Sequence, residues 1–488
     1  MPGGMPVMTK YTQIFTLFSL LVIFALTGLT PAVAIDFENI SFPALNPINL
    51  PDIEEIKLEN GMRLYLLEDN SLPLIEASVR IHGGSYLDPV EKIGLGSMLG
   101  DLLRNGGTQK WSADELDEML EGIGAAAETS SDIIAGSLKL MMLSSQKELA
   151  VEVMAEILRR PRFEESRFEQ AMIGARSMIS RRNDQPDSIG EREFEKMIYG
   201  ADSVYARHSE YATLNAITRD DLKAMHQRIY RPENVQMAIW GDFNRKEMLS
   251  LIKKYFNDWE RGKEPLPEFP KVDYNFDKVA AVVDLPEAKQ TNAYIGHLGG
   301  RLFDEDHPHR IVMNNILGVG FGSRLFNQVR SKAGLCYSVY GIYTANLSYP
   351  GIFYNYVATK NETAAKAVRM IIDEIKKFQK EAPTAAELKA AKDRYLNSFV
   401  FNFDEKQKVI ERMVYYDFFN LPRDFLNKQK EMVEATTAED VLTAANKYLK
   451  PDSLRILVVG NQKAFDEPLE QLNNGKLQTI DITIPENK

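Results

Sequence analysis

The sequence predicts an α+β protein made of two homologous halves, a tandem duplication closing as a clamshell, each half a mainly antiparallel sheet packed with helices. An internal repeat is the first observation: Thr218 and Gly241, with a proline between them, recur as Thr437 and Gly460 at a common offset of 219 residues. An offset shared by several residue types indicates duplication. Strand and helix patterns alternate through both halves. A charged, proline-rich segment between the halves, residues 261–275, is typical of a semi-rigid linker.

The order of these patterns sets the predicted segments of the chain. They are a signal peptide over residues 1–34, an extended lead-in over 35–52, an N-terminal domain over 53–260, the linker over 261–275, a C-terminal domain over 276–470 and a tail over 471–488. A chain of 488 residues is long for a single hydrophobic core, which agrees with two domains.

The N-terminus has the pattern of a secretory signal peptide. Lys10 precedes an apolar run over residues 14–26, and Ala32 and Ala34 provide the small residues of a cleavage site. The run is short for a transmembrane helix. We therefore expect cleavage after Ala34, export, and no stable membrane insertion, with a bacterial periplasm as the location. A retained N-terminal anchor is the alternative.

Composition excludes some classes of function. The net charge of −11 argues against a nucleic-acid partner. Cys336 is the only cysteine, so the chain cannot form an internal disulfide and depends on its cores for stability. As a nucleophile Cys336 is disfavoured, because it lies in an apolar strand pattern without a nearby histidine.

In the first half, strand and helix signals follow a regular order. Asn60 and Gly61 mark the turn of a hairpin, and the strand that follows it ends at Gly83. Ser112 and Glu115 form a capping box, which predicts the start of a helix. The helices predicted here cover residues 94–104, 112–122, 146–158 and 165–182.

Residues 318–341 carry the most specific site pattern. Gly334 separates a helix from a strand, which places Arg330 on the last helical turn. Period two puts these residues on one strand face: Tyr337, Val339, Gly341 and Tyr343. A guanidinium and a phenol that converge suit a peptide carbonyl whose oxygen becomes negative. The structural alternative is that Arg330 caps its helix and Tyr337 packs in the core.

The run S-R-L-F-x-x-V-R-x-K-x-G-L-x-Y-S-V-Y, beginning at Ser323, closely resembles the C-terminal-half signature of the pitrilysin-type peptidases. That zinc peptidase family includes insulin-degrading enzymes and mitochondrial processing peptidases. The resemblance implies that Arg330 and Tyr337 bind the substrate and stabilise the transition state. It also implies that both domains are peptidase-like and that any metal chemistry belongs to the first half.

The first half, however, lacks the family's zinc motif. The family pattern G-L-x-H-x-x-E-H-x-x-x-x-G-T supplies two histidine ligands and a glutamate that activates the bound water. The matching stretch here, residues 94–108, keeps the glycine and leucine frame but holds Ser97, Gly100 and Asp101 at those positions. The third ligand position falls on Ser177 or Met178. The sequence therefore predicts no metal and no cofactor in this chain.

An edge strand that binds an extended peptide is expected within residues 122–131. The resemblance places the family's peptide-pairing strand there, and the expected binding residues are Gly124, Ala125, Ala126 and Ala127. Small side chains leave room for a guest strand. The alternative is an ordinary edge strand protected by charge.

Three other motifs have structural explanations. Asp306, His307 and His309 are interpreted as the capped start of a helix and not as a metal site. The glycines over residues 318–322 are interpreted as a helix stop, since no P-loop lysine follows them. Ser144 with Lys147 is a chance match to a hydrolase motif.

Three hypotheses of function follow. The first is a non-catalytic, substrate-binding subunit of an exported heterodimeric zinc peptidase, inactive alone, in which Arg330 and Tyr337 serve a zinc site on a homologous partner chain and the substrate is an extended peptide. The second is a pseudopeptidase that binds peptides or scaffolds an envelope complex. The third, a self-sufficient hydrolase, has no residue constellation to support it.

Overall fold

The computed structural model describes residues 50–473 and 476–485. The predicted signal peptide and most of the lead-in lie outside the described residues. Over the described part of the chain, no helix is both long enough and apolar enough to cross a membrane.

The first half is built on a six-stranded mixed sheet with the order β1-β2-β6-β3-β5-β4. Its strands are β1 Glu54–Lys57, β2 Arg63–Glu68, β3 Leu74–His82, β4 Ala126–Ser131, β5 Ala135–Leu143 and β6 Val235–Gly241. Its helices are α1 Leu95–Asn105, α2 Ala113–Gly122, α3 Lys147–Arg159, α4 Glu165–Arg181, α5 Pro186–Tyr199, α6 Tyr211–Asn215, α7 Arg219–Ile229 and α8 Arg245–Phe256. Only the β2–β6 pair is parallel. The predicted mainly antiparallel sheet is therefore confirmed.

The second half has a six-stranded sheet of matching order, β10-β12-β8-β13-β7-β14, except that its outermost strand β14 pairs with β7 in parallel whereas β1 pairs with β2 antiparallel. Its strands are β7 Val279–Asp284, β8 Gln290–Leu298, β10 Cys336–Tyr343, β12 Ile352–Lys360, β13 Arg455–Gly460 and β14 Gln478–Thr479, with β9 Gly300–Arg301 and β11 Ala345–Asn346 forming a separate pair. Its helices are α9 His307–Leu317, α10 Ala364–Phe378, α11 Ala385–Phe399, α12 Lys406–Phe418, α13 Phe425–Ala435 and α14 Ala438–Tyr448, with a π-helix at Phe326–Lys332.

The internal repeat is confirmed at the level of caps and strand positions. Thr218 and Thr437 each close a capping box at the start of α7 and α14. The strands that follow, β6 and β13, occupy equivalent places, since each pairs in parallel with one neighbour and antiparallel with the other. By the same correspondence β4 matches β10, so the two candidate sites lie on equivalent edges.

One face of each sheet packs against helices of its own half. In the first half, Leu99, Met154 and Ile252 belong to the same buried cluster as the strand residue Val79. The second half has an equivalent cluster. The residues that form these cores lie on one apolar face of each helix and at alternate positions of each strand, as expected for amphipathic elements.

The opposite faces are covered reciprocally by one helix from the other half. Helix α5 of the first half packs on the second sheet, where Tyr294 donates a 3.0 Å hydrogen bond to the carbonyl of Asp187. Helix α12 of the second half packs Ile410 and Val414 against Tyr65 on the first sheet. This exchange joins the two halves through apolar cores, and not through the linker alone.

Two predicted segments differ in detail. Residues 471–488 were expected to form a tail, but β14 extends the second sheet by pairing with β7, and Asn183 donates to the carbonyl of Ile482. Residues 261–275, the predicted linker, lie outside helices and strands but contact the first half, since Tyr86 and Tyr205 donate hydrogen bonds to the carbonyls of Pro267 and Pro270.

Candidate functional site

The π-helix carries Arg330 and ends at a glycine. Its widened turns show in the backbone bonds, since the amide of Ala333 donates to the carbonyl of Gln328, five residues back. Gly334 has a φ of +63°, a conformation that favours glycine, and it turns the chain into β10. The predicted glycine stop is confirmed.

A β-bulge at the start of β10 determines where Tyr337 points. The β10–β12 register shifts between Cys336 and Ser338, which leaves Tyr337 without a partner across the strand. As a result Val339 and Gly341 are buried while Tyr337 is 80% exposed. The prediction that Tyr337 shares the face of Val339 is therefore wrong, because the extra residue reverses the alternation. The alternative that Tyr337 packs in the core is excluded by its exposure.

Arg330 and Tyr337 do converge. The guanidinium carbon of Arg330 lies 5.6 Å from the centre of the Tyr337 ring and 4.7 Å from that of Phe326, within cation–π range. Among the described residues, neither the guanidinium nor the phenolic hydroxyl makes a hydrogen bond or an ion pair. Arg330 does not cap its helix, since the capping bond uses only its carbonyl. Both donor groups are thus available to a ligand.

The loop before the π-helix is held by close backbone contacts and hydrogen bonds. Gly318 and Gly341 approach so closely that a Cβ on Gly318 would collide with the backbone of Gly341, whose amide donates 3.0 Å to the carbonyl of Gly318. Arg394 reaches from α11 to the carbonyls of Asn315 and Val319. These contacts fix the loop that precedes the π-helix. Rigid support of this kind holds a binding group in place.

The loop exposes an aromatic side chain that the sequence prediction did not single out. Phe321 is 79% exposed, and its ring lies edge-on to Phe326 at 5.1 Å. Phe326 precedes Arg330 by four residues, one helical turn, and this spacing could have indicated that an aromatic ring lies beside the guanidinium. The site therefore combines donors with an apolar wall.

The degenerate zinc positions lie on α1, as predicted. Ser97 and Asp101 are exposed and line a cavity of 820 Å³ together with Met178 from α4. The structure thus brings the expected third position, Met178, opposite the other two, whereas Ser177 is not among the lining residues. The Asp101 carboxylate accepts a 2.7 Å hydrogen bond from the Asn105 amide.

Gly100 is buried where the family's catalytic base would stand. A Cβ at this position would lie within 3.0 Å of the backbone of Ser130 and Ser131 on β4. Helix α1 therefore packs directly against the strand backbone, and a larger side chain would displace it.

The donor set at this position does not fit zinc. A catalytic zinc requires three nitrogen, sulfur thiolate or carboxylate ligands and one open position. Ser97 and Met178 supply a hydroxyl and a thioether, and no group of three metal-binding side chains occurs within residues 50–473 or 476–485. That the chain uses no cofactor at all stays a prediction.

The edge strand begins later than expected. Ala126 and Ala127 belong to β4, but Gly124, at a φ of +63°, and Ala125 lie in the turn that follows α2. Within the described sheet, β4 pairs only with β5, so its outer edge has no strand partner. Its peptide-binding role stays a prediction.

Cys336 and the pair Asp306 and His307 have structural roles. Burial raises the pKa of the Cys336 thiol to about 11, which disfavours the reactive thiolate. Asp306 precedes α9 and bonds Lys447 and Tyr448, while His307 is buried beside Arg310. Neither group forms a catalytic constellation.

The fold and the two sites define a class: a duplicated peptidase-type shell with an intact arginine–tyrosine pair and a degenerate metal site. Two family models match it, one described as Insulinase (Peptidase family M16) over residues 65–204 and one as Peptidase M16 inactive domain over residues 216–395. The chain belongs to peptidase family M16. At the positions of the family's zinc motif this chain has Ser97, Gly100 and Asp101.

Known relatives agree with this assignment. The non-peptidase homolog YmxG of Helicobacter pylori is 23% identical over 402 residues, 81% of this chain and 91% of that protein. The zinc protease PqqE of the same organism is 23% identical over 418 residues, 82% of this chain and 91% of that protein. The crystal structure of a peptidase M16 inactive domain from Pseudomonas fluorescens superposes with a TM-score of 0.76 at 24% identity, covering 86% of this chain and 99% of that one.

Proposed function

We propose that this chain is the non-catalytic, substrate-binding subunit of an exported heterodimeric zinc metallopeptidase. The observation that carries the proposal is the contrast between the two halves. Arg330 and Tyr337 lie together with both donors free, while Ser97, Gly100 and Asp101 stand where the metal ligands and base are needed. A site that keeps substrate donors but lacks metal ligands needs a partner chain to complete it.

In this proposal the two side chains act on the carbonyl of the scissile peptide bond. The guanidinium of Arg330 is always charged and presents a planar set of N–H donors, and the Tyr337 hydroxyl adds a neutral donor. Donors placed where negative charge develops stabilise the transition state more than the ground state. The zinc and the water it activates belong to the partner, a homologous chain with an intact H-x-x-E-H motif.

Two observations support a two-chain arrangement. Helicobacter pylori contains both a non-peptidase homolog and a zinc protease that resemble this chain over most of its length. In addition, Phe321 and Tyr337 are 79% and 80% exposed and are linked through Phe326 and Arg330. Aromatic residues and arginine are enriched in protein interfaces. Export rests on the predicted signal peptide, in residues 1–34.

The test is reconstitution of the pair. The mature chain is purified and mixed with the homologous chain from the same organism that carries H-x-x-E-H, and cleavage of a quenched fluorescent peptide pool is measured with and without chelator. Chelator-sensitive cleavage in the mixture alone, lost on Arg330→Ala, is the expected result. Full activity with Arg330→Ala would overturn the proposal.

A second candidate is a pseudopeptidase that binds peptides without cleaving them. The unpaired outer edge of β4 favours it, because an extended peptide could add to this edge through backbone hydrogen bonds with no chemistry. This candidate predicts peptide binding by the chain alone. It is favoured if no zinc-bearing partner co-purifies with the chain and the mixture of the two chains does not cleave the peptide pool.

A further inference from the structure

The cavity between α1 and α4 is a groove with an apolar floor. Apolar side chains from both helices and from α6 line it: Met98, Leu102, Ala171, Ile179 and Leu214. The helices run in opposite directions along it. At one end of the groove, Asp117 pairs with Arg167, near the start of α4, and with Arg104, near the end of α1. At the other end, Arg182, just beyond α4, donates to the carbonyl of Ser209, and Gly94, just before α1, packs against Ser209. The groove therefore has two distinct ends.

The charges along the groove do not balance. Each lining arginine has an acidic partner in the protein: Arg167 pairs with Asp114 and Asp117, Arg182 with Glu210, and Arg192 with Glu193. Asp101 lines the groove too; within the described part of the chain its carboxylate accepts a hydrogen bond from the neutral Asn105 amide and makes no ion pair. The other ionisable lining group, His208, belongs to the Arg182 end. Among the described residues no cation contacts the Asp101 carboxylate directly: Arg104 pairs with Asp117 and donates to the Oδ1 of Asn105, on the other side of that amide.

The second half shows what occupies the equivalent place there. Helices α4 and α11 begin at matching N-caps, Glu164 and Thr384, an offset of 220 residues that Ile179 and Phe399 share, whereas the buried Met172 and Ala391 match at 219. Arg394 therefore corresponds to Gly174 or to its neighbour Ala175, both of which line the cavity. Arg394 lays its side chain across the end of α9 and donates to the carbonyls of Asn315 and Val319.

In the first half this place is empty of protein. A Cβ on Gly174 would meet no heavy atom within 4 Å, and Gly174 lines the cavity opposite α1, the counterpart of α9. At the end of α1, the carbonyl of Gly107, which matches that of Val319, already accepts a hydrogen bond from the amide of Arg162, and Gly107 does not line the cavity. The first half therefore offers the carboxylate of Asp101 to a cation, and it lacks the arginine.

We propose that the groove between α1 and α4 binds the side chain of an arginine or lysine residue of a peptide, with the alkyl stem on the apolar floor and the cation at Asp101. The degenerate zinc site is then a subsite for basic residues. An alkyl chain that ends in a cation matches such a lining, because it buries methylenes while its head stays polar. The inference concerns a surface separate from Arg330 and Tyr337.

The test is equilibrium binding by fluorescence anisotropy to the mature chain alone. The probes are two N-terminally fluorescein-labelled short peptides, identical except for one central residue, arginine in one and citrulline in the other. Citrulline keeps the shape and removes the charge. The arginine peptide is expected to bind about fivefold more tightly, the size of one partly exposed ion pair.

Three variants test the assignment. Asp101→Asn is expected to abolish the arginine preference, while Glu121→Gln, which removes an exposed carboxylate on α2 outside the groove, leaves it unchanged. Gly174→Arg places an arginine side chain of the protein itself in the groove, and we expect it to prevent binding of the arginine peptide. The variant should fold, because a Cβ at this helical position meets no atom and arginine has a higher helix propensity than glycine. Gly122→Arg, also in open space but outside the groove, is its control.

The outcomes separate the two proposals. Arg330→Ala is expected to leave the ratio of affinities for the arginine and citrulline peptides unchanged. Loss of cleavage in that variant therefore tests only the proposed function. Equal binding of the arginine and citrulline peptides, or no binding of either by the wild-type chain, would overturn the inference. An unchanged preference in Asp101→Asn would do the same.

Discussion

Replacing Tyr337 with phenylalanine separates the chemical role of the hydroxyl from any role in folding. Tyr337 is 80% exposed, and within the described chain its hydroxyl makes no hydrogen bond. Loss of that oxygen therefore removes no stabilising contact, and the free energy of unfolding should change by less than about 0.5 kcal/mol. The ring, which lies against Arg330, is kept.

The expected effect is on catalysis by the mixed complex. Removing one donor that stabilises a developing oxyanion costs about 100- to 1,000-fold in kcat, roughly 3–4 kcal/mol. Because Arg330 remains in place, we expect the lower end, about 100-fold, with KM little changed. The assay is steady-state cleavage of a quenched fluorescent peptide at saturating zinc-bearing partner.

A matched control is Tyr255→Phe, which removes a hydroxyl on α8 that lies 3.4 Å from Glu148, away from the site. This variant should keep full activity. Wild-type kcat in Tyr337→Phe would refute the assignment of a transition-state role to Tyr337. A large loss of stability in the same variant would refute the structural reasoning.

Three further predictions concern the scaffold. Gly100→Ala should cost about 1–3 kcal/mol in urea unfolding, because its Cβ would meet the Ser131 backbone; an unchanged midpoint would contradict the close packing of α1 on β4. Asp417→Ala, which removes the acceptor of the buried Tyr65 hydroxyl between the halves, should destabilise the protein by about 2 kcal/mol, and wild-type stability would show that this contact does not join them. Burial raises the pKa of Asp88 to about 6, so the folded chain holds a proton that the unfolded chain releases, and stability should fall as pH rises from about 4 to 6. Relative to Asp88→Asn, the free energy of unfolding should fall by roughly 2 kcal/mol across this range in denaturation curves, and an equal fall in both proteins would contradict the prediction.

The duplicated fold could be predicted from the sequence because its signals are local. Thr218 and Thr437 cap helices through residues three positions away, and the glycines that end β6 and β13 keep the same spacing. Capping and turn chemistry depend on a few neighbouring residues, so they are visible in one sequence. The same holds for the glycine stop at Gly334.

The parts that could not be predicted depend on contacts between distant residues. The exchange of α5 and α12 between the halves is set by which sheet face each helix covers, and helical periodicity does not specify the partner. The tail residues joined the second sheet because β7 offered a free edge. Neither signal lies within one segment.

The candidate site shows both situations. The convergence of Arg330 and Tyr337 followed from their spacing, but the exposure of Tyr337 depends on a bulge created by pairing with β12. The groove opposite Gly174 required the positions of two helices and a comparison with Arg394 in the other half. Spacing together with the family resemblance therefore located the pair, and neither of them indicated the groove.

The most direct test of the central claim is cleavage of a quenched peptide pool by the mature chain alone and mixed with its zinc-bearing homologue, each with and without chelator. The account predicts no cleavage by the chain alone and chelator-sensitive cleavage in the mixture that depends on Arg330 and Tyr337. Cleavage by this chain alone, or a mixture no more active than the homologue by itself, would contradict it.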